Sequence, residues 1–232
     1  MATNYRMVSS ADWQAVCLSL ELATVSTLVL LIVGTPLAWW LARSNWRLKF
    51  VIETLVALPL VLPPTVLGFY LLITLRPDGF LSQSVEAIFG QDLAFSFAGL
   101  VIGSVVYSLP FVVQPLQNAF QNIAQDSLDV AATLGARPVD QFFRLVMPMT
   151  KSGFFTAAIL GFAHTLGEFG VVLMIGGNIP GETQLASIAI YQHVETLAFG
   201  QAHALSFILL LISFVLLGAV YALAKPGRGF RL

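Results

Sequence analysis

Long apolar runs separated by short polar punctuation organise the chain. A helix that crosses a bilayer needs about 20 mainly apolar residues. Five runs qualify, roughly Ala15–Ala42, Val51–Leu75, Ala98–Phe120, Phe154–Gly177 and His203–Ala224. The pattern predicts an all-α, polytopic membrane protein with five transmembrane helices in a single domain spanning 1–232. The first run is far longer than the ~7–15-residue core of a signal peptide and reads as a retained span. Two segments between runs carry weaker helical periodicity. Gly79–Phe97 places Leu81, Val85, Ile88 and Phe89 at helical spacing, and Gln184–Ala198 places Leu185, Ile188, Tyr191 and Val194 at intervals of three. Both predict short amphipathic helices at the membrane surface, sealing the end of a bundle or also forming a docking floor for an external protein.

Composition agrees with the pattern. Hydrophobic residues make up 57% of the 232 and charged residues 10%, with a mean hydropathy of +0.85. Soluble domains carry about 25% charge. The net charge of −1 is uninformative, but the placement of the charges is not. Taking alternate inter-span segments together, Arg43, Arg47, Lys49, Arg137, Arg144, Lys151, Lys225, Arg228 and Arg231 fall on one side. Only Arg6 and Arg76 fall on the other, which accounts for all 11 Lys and Arg. The positive-inside rule makes the richer side cytoplasmic, so the N-terminus is expected outside and the C-terminus in the cytoplasm. The one cysteine, Cys17, sits in an apolar run and reads as a small buried hydrophobe. Cys and His spacings predict no metal site.

The spans are not plain apolar rods. The second carries Pro59, Pro63 and Pro64, followed by Thr65. Each proline removes a backbone donor and clashes with the preceding turn. Carbonyls freed in this way cannot face lipid, so the break is expected to line a wet cavity or be covered by protein. Gly99 and Gly103 in the third span form a GxxxG pair for close helix approach, which packing within one subunit explains. The fourth span carries His164 and Glu168 at i and i+4, on one helical face, with Gly170 beyond. Ionisable groups at that depth usually face a bundle interior or a polar pathway. Glu168 therefore has two readings, a structural hydrogen bond to another span or a place on a pathway. No Lys or Arg lies deep in any span, and the sequence carries no P-loop, GxSxG or HExxH. The chain is therefore expected to have no catalytic residues, to bind no cofactor, and to lack an ATP site of its own.

One polar segment, Asp126 to Pro148, stands between the third and fourth spans on the cytoplasmic side. Its punctuation predicts two short helices. Asp126 caps the first, with Asp129 reaching back as in a capping box, and Gly135 ends it. Pro138 opens the second with Asp140 in its first turn, and Pro148 closes the unit. The caps alone fit an ordinary surface loop equally well.

In its setting the segment resembles the "EAA" loop of binding-protein-dependent ABC importer permeases. That loop has an acidic-x-Ala start, a Gly four residues after the Ala, and a hydrophobic-x-hydrophobic-Pro end. Asp129, Ala131, Gly135, Leu145, Met147 and Pro148 match, with Asp129 in place of the usual Glu and Val130 in place of the first Ala. The stretches Leu58–Leu72 and Thr165–Thr183 are similar to the molybdate group within that family, and the similarity runs from about Asp12 to Ala224. The resemblance implies a type I importer permease in the bacterial inner membrane, with a cytoplasmic coupling loop at 121–151. It implies assembly with a second permease copy, two cytoplasmic ATP-binding subunits that use ATP and Mg, and an external molybdate-binding protein. Membrane lipid would surround the chain, and no nucleic acid is involved. Asp129, Ala131, Ala132, Gly135, Leu145 and Pro148 would couple to the ATPase. Pro59, Pro63, Pro64, Thr65, Glu168 and Gly170 would form the moving wall of the translocation pathway. The same role for tungstate, sulfate or thiosulfate is the alternative. An ion-coupled secondary transporter subunit is more remote, because the halves of the chain show no internal repeat.

Overall fold

The computed structural model describes residues 8–77 and 93–223. Among these every regular element is a helix: α1 (Ser10–Arg43), α2 (Lys49–Leu60, its last turn a 3-10 turn), α3 (Pro64–Leu75), α4 (Phe97–Gln121) and α5 (Gln125–Thr133). The series continues with α6 (Pro138–Met149), α7 (Lys151–Leu166), α8 (Gly170–Gly176), α9 (Ala186–Glu195) and α10 (Phe199–Leu223). Three helices, α1, α4 and the Phe199–Ala219 part of α10, are individually long and apolar enough to cross a membrane. The count reaches five if the bent pairs α2/α3 and α6/α7 are each one crossing.

The helix limits follow from local chemistry. Ser9 and Asp12 form a reciprocal capping box that starts α1, with hydrogen bonds of 2.7 and 3.1 Å. The bend of 110° between α2 and α3 falls where Pro63, in extended conformation, meets Pro64 at the first turn of α3. Two consecutive residues without an N–H cannot continue the ladder. α1, α4 and α7 form the centre of the bundle around Leu30, Leu41, Val112, Leu116, Phe120, Val146 and Ala157. Lipid is as apolar as these side chains, so close contact rather than burial from water must hold the helices together. Small residues provide it. A Cβ on Gly161 of α7 would sit 2.6 Å from Val112 Cγ2 on α4. One on Gly103 would sit 2.5 Å from Ile175 Cδ1, so this half of the GxxxG pair seats α8 against α4 within the subunit.

Several expectations need correction. The fourth span is not one helix through Gly177. α7 stops at Leu166 with Gly167 as its C-cap, residues 167–169 are irregular, and α8 begins at Gly170. His164 and Glu168 therefore do not share a helical face. At the other end, Pro148 does not close the polar segment. α6 runs through it, with a π turn over Phe142–Val146, and the 76° bend lies at Thr150. The π turn fits the proline, because Met147 N–H reaches back to Phe142 O immediately before a residue with no N–H to offer. Cys17 is exposed on the flank of α1 rather than buried. Leu185, the N-cap of α9, and Ile188 within it are buried, but Tyr191 and Val194 are not. Ala186 and Ala189 complete the buried face, so the three-residue stripe overstated its width. The helix expected within Gly79–Phe97 lies for the most part outside the described residues.

Candidate functional site: a cavity between two helix breaks, and a capped polar segment

The break between α2 and α3 and the break between α7 and α8 meet. α3 packs on α8, and a Cβ on Gly170 would lie 2.6 Å from Pro64 Cβ. Between them opens a cavity of about 650 Å³, lined by Pro64, Thr65, Tyr107, Ala163, His164, Gly167, Glu168, Phe169, Gly170, Leu173 and Met174. Four of the six residues expected on the pathway wall, Pro64, Thr65, Glu168 and Gly170, thus converge on one space. Pro59 is buried in the 3-10 turn and Pro63 is exposed outside the lining, so their part in the break is to shape the backbone.

Glu168 sits in the second break. It is 5% exposed, and among the described residues neither carboxyl oxygen makes a hydrogen bond of ordinary geometry. The Val171 and Val172 amides at the start of α8 face the carboxylate without completing one. Its backbone is held instead: Glu168 N–H donates to Thr165 O at 3.3 Å, and Ser187 Oγ on α9 donates to Glu168 O at 2.6 Å. His164 Nδ1 is hydrogen-bonded to Ser108 Oγ at 2.9 Å, and Ser108 Oγ pairs with Thr165 Oγ1 at 2.9 Å. The imidazole stacks on Phe111, with centroids 3.8 Å apart, and lies beside Tyr107 at 4.8 Å. Sequence reasoning missed Tyr107 and Ser108. Their signal was a polar pair within an apolar run, one turn past Gly103.

Beyond α8 the Asn178–Thr183 stretch is a tight knot. Gly177 (φ 64°) and Gly181 (φ 80°) take backbone conformations that side chains disfavour. The fully buried Thr183 hydroxyl donates to Gly176 O at 2.6 Å and accepts from Ile179 N–H at 3.2 Å. This knot fixes α8 and hence one wall of the cavity.

The polar segment between α4 and α7 follows its punctuation at one end and not the other. α5 starts at Gln125, one residue before the expected cap. Ala124 is the N-cap and makes no side-chain bond, while Asp126 lies in the first turn and Asp129 accepts from Gln125 Nε2 at 2.9 Å. The far end is a Schellman cap. Ala136 N–H donates to Ala131 O, Gly135 N–H donates to Ala132 O, and Gly135 has φ 85°. Pro138 opens α6 with Asp140 in its first turn, as expected. Val130, Ala132, Leu134, Gly135 and Pro148 are exposed, Ala131 and Leu145 half-buried, and Asp129 exposed. Leu128 and Val146 are buried and anchor the segment to the α1/α4/α7 core. Leu134 is 83% exposed and Val130 57%, so the outer face of α5 and its cap is apolar and uncovered.

Long apolar helices enclosing a sparsely polar cavity, with a capped polar segment between them, define a multi-pass membrane protein of the permease class. The same fold occurs in a bacterial alginate ABC transporter solved in complex with an alginate pentasaccharide-bound periplasmic protein. The likeness has a TM-score of 0.74 at 16% identity and covers 94% of this chain and 79% of that one. A family model, the binding-protein-dependent transport system inner membrane component, matches residues 34–226, and the chain belongs to that family. Among curated proteins, the molybdenum transport system permease protein ModB of Azotobacter vinelandii is 57% identical over 93% of this chain and 95% of its own length. The protein of the same name from Escherichia coli (strain K12) is 35% identical over 82% and 83%.

Proposed function

We propose that this chain is the membrane-spanning permease subunit of an ATP-driven molybdate importer of the bacterial inner membrane. The observation that carries the reading is the 57% identity to a molybdenum permease across almost the full length of both chains. Two copies would form the pathway, and an external binding protein would deliver the oxyanion. Two cytoplasmic ATP-binding subunits, with ATP and Mg, would supply the work. The whole chain would act as one permease domain with its N-terminus outside and its C-terminus in the cytoplasm.

In this reading α5 is the docking helix and α6 the link into α7. Schellman and proline caps fix the two helices, and Leu128 and Val146 seat them on the core. Closure of an ATPase on α5 would then move a rigid lever and bias two arrangements of the bundle. The walls that move are the two breaks around the cavity. Its described lining contains no Lys or Arg, so a dianion would meet no fixed positive charge that holds it there. Oxyanion selectivity would then belong mainly to the external partner.

The test is uptake of labelled molybdate into proteoliposomes holding the assembled transporter. ATP-dependent uptake should require the binding protein, and tungstate and sulfate competition should rank the substrates. Gly135→Asp, or deletion of Asp129–Gly135, should abolish uptake and ATPase association. Intact association after either change rejects the docking assignment. Full oxyanion selectivity without the binding protein rejects the division of labour.

A further inference from the structure

We infer that Arg43, at the last turn of α1, is the positioning residue that sets the angle of the coupling helix. The inference rests on the proposed docking of an ATPase at α5. The Arg43 guanidinium reaches away from its own helix to the junction between α4 and α5. Nη2 donates to Phe120 O at 2.9 Å and to Ile123 O at 3.0 Å, closing the end of α4. Nη1 donates to Gln125 Oε1 at 3.3 Å, and Gln125 Nε2 donates onward to Asp129 Oδ1 at 2.9 Å. A continuous polar chain therefore runs from α1 through the first residue of α5 to the acidic residue of its motif. The guanidinium also lies over the Trp39 ring, 5.2 Å from its centroid. Trp39 in turn meets Phe120 and Phe142 edge-on, at 5.3 and 5.9 Å. Phe142 begins the π turn of α6, so Arg43 and the Trp39 ring beneath it together touch both arms of the coupling segment, Arg43 at Gln125 of α5 and Trp39 at Phe142 of α6.

A positive charge placed only for topology would not need this geometry. Lysine serves the positive-inside rule equally well, but a compact ammonium on a flexible stem lacks the rigid guanidinium fork that here reaches three acceptors while lying over the Trp39 ring. Arg43→Lys is therefore the informative variant. It keeps charge and insertion while removing the fork.

The test uses the full complex, with permease, ATPase and molybdate-binding protein in proteoliposomes. Three quantities are read: ATPase association, ATP hydrolysis stimulated by loaded binding protein, and molybdate imported per ATP. Arg43→Lys should assemble normally but lower the molybdate imported per ATP by at least about fivefold, the low end of ordinary coupling between sites. Gln125→Ala, at an exposed position where refolding is not in question, should lower the same ratio in the same direction. Wild-type stoichiometry in both variants, with association retained, overturns the role of Arg43. ATPase association that survives deletion of Asp129–Gly135 overturns the docking reading instead, so the two failures are separable.

Discussion

Gly170→Ala probes the contact on which the cavity depends. The added methyl carbon would sit 2.6 Å from Pro64 Cβ, with the Pro64 carbonyl carbon at 3.7 Å. Ordinary carbon contacts begin near 3.5 Å, so the two breaks must part by roughly 1 Å. Pro64 cannot swing aside, because its ring is fixed to the backbone at the first turn of α3. Overpacking of this kind costs about 1–3 kcal/mol. Alanine also regains up to about 1 kcal/mol of helix propensity over glycine, which would mask part of the loss. Gly200→Ala removes that ambiguity. Gly200 likewise lies in the first turn of its helix, and a Cβ there meets nothing within 4 Å. The difference between the two variants isolates the clash. At about 2–4 °C per kcal/mol for a chain of this size, Gly170→Ala should melt roughly 2–12 °C below Gly200→Ala in detergent. Molybdate uptake should fall in the first variant and not in the second. Equal melting and equal uptake would mean that the two breaks do not touch, and the cavity as described would not exist.

Other substitutions separate structure from pathway. Glu168→Gln keeps the shape of the side chain and removes only its capacity to ionise, so a pathway role predicts that uptake falls while the melting temperature stays near that of the unchanged chain. Retained uptake with a lowered melting temperature would assign Glu168 to structure alone. Asp12, 3% exposed, accepts from Ser9 N–H and pairs with His193 Nε2 at 2.8 Å. Asp12→Ala should cost about 2–4 kcal/mol, from a lost cap and a lost charged hydrogen bond, without touching ATPase association. A double-mutant cycle with His193→Ala should show non-additivity, and strict additivity would remove the pair from the account.

The features legible in the sequence are those that a bilayer or a missing N–H enforces. Hydropathy placed the long helices, and Pro63–Pro64 placed the break before α3, because no rearrangement restores two lost donors. Gly135 and Pro138 placed the caps for the same kind of reason. The α7/α8 break was not read, since Gly167 permits a helix end without requiring one, and the apolar period of the run continues across it. That hidden break is what separated His164 from Glu168 and brought Glu168 to Thr65 and Pro64. Asp126 failed as a cap because capping depends on a backbone angle that several neighbours can adopt, and Ala124 adopts it here. Arg43 entered the sequence reading only as one cytoplasmic charge. Its contacts to Phe120, Ile123 and Gln125 join positions about 80 apart in the chain, and no local pattern encodes them.

The two breaks also bear on how an anion could pass. A helix start usually offers free N–H groups to negative charge. At α3 the first turn is poor in them: Pro63 and Pro64 have none, and the Val66 and Leu67 N–H groups both donate to Pro63 O, at 2.9 and 3.2 Å. At α8 the Val171 and Val172 amides face the protein's own Glu168 carboxylate. The α3 start is therefore largely committed to an internal carbonyl, and at the α8 start the protein's own Glu168 carboxyl group stands where an anion would approach. With no Lys or Arg in the described lining, and the Glu168 carboxyl group ahead of the α8 amides, an oxyanion has little there to bind. A channel wall that attracted a dianion strongly would slow its release on every cycle. A wall that attracts it weakly needs another protein to select and concentrate it, and the proposed external binding protein would do so before the cavity opens.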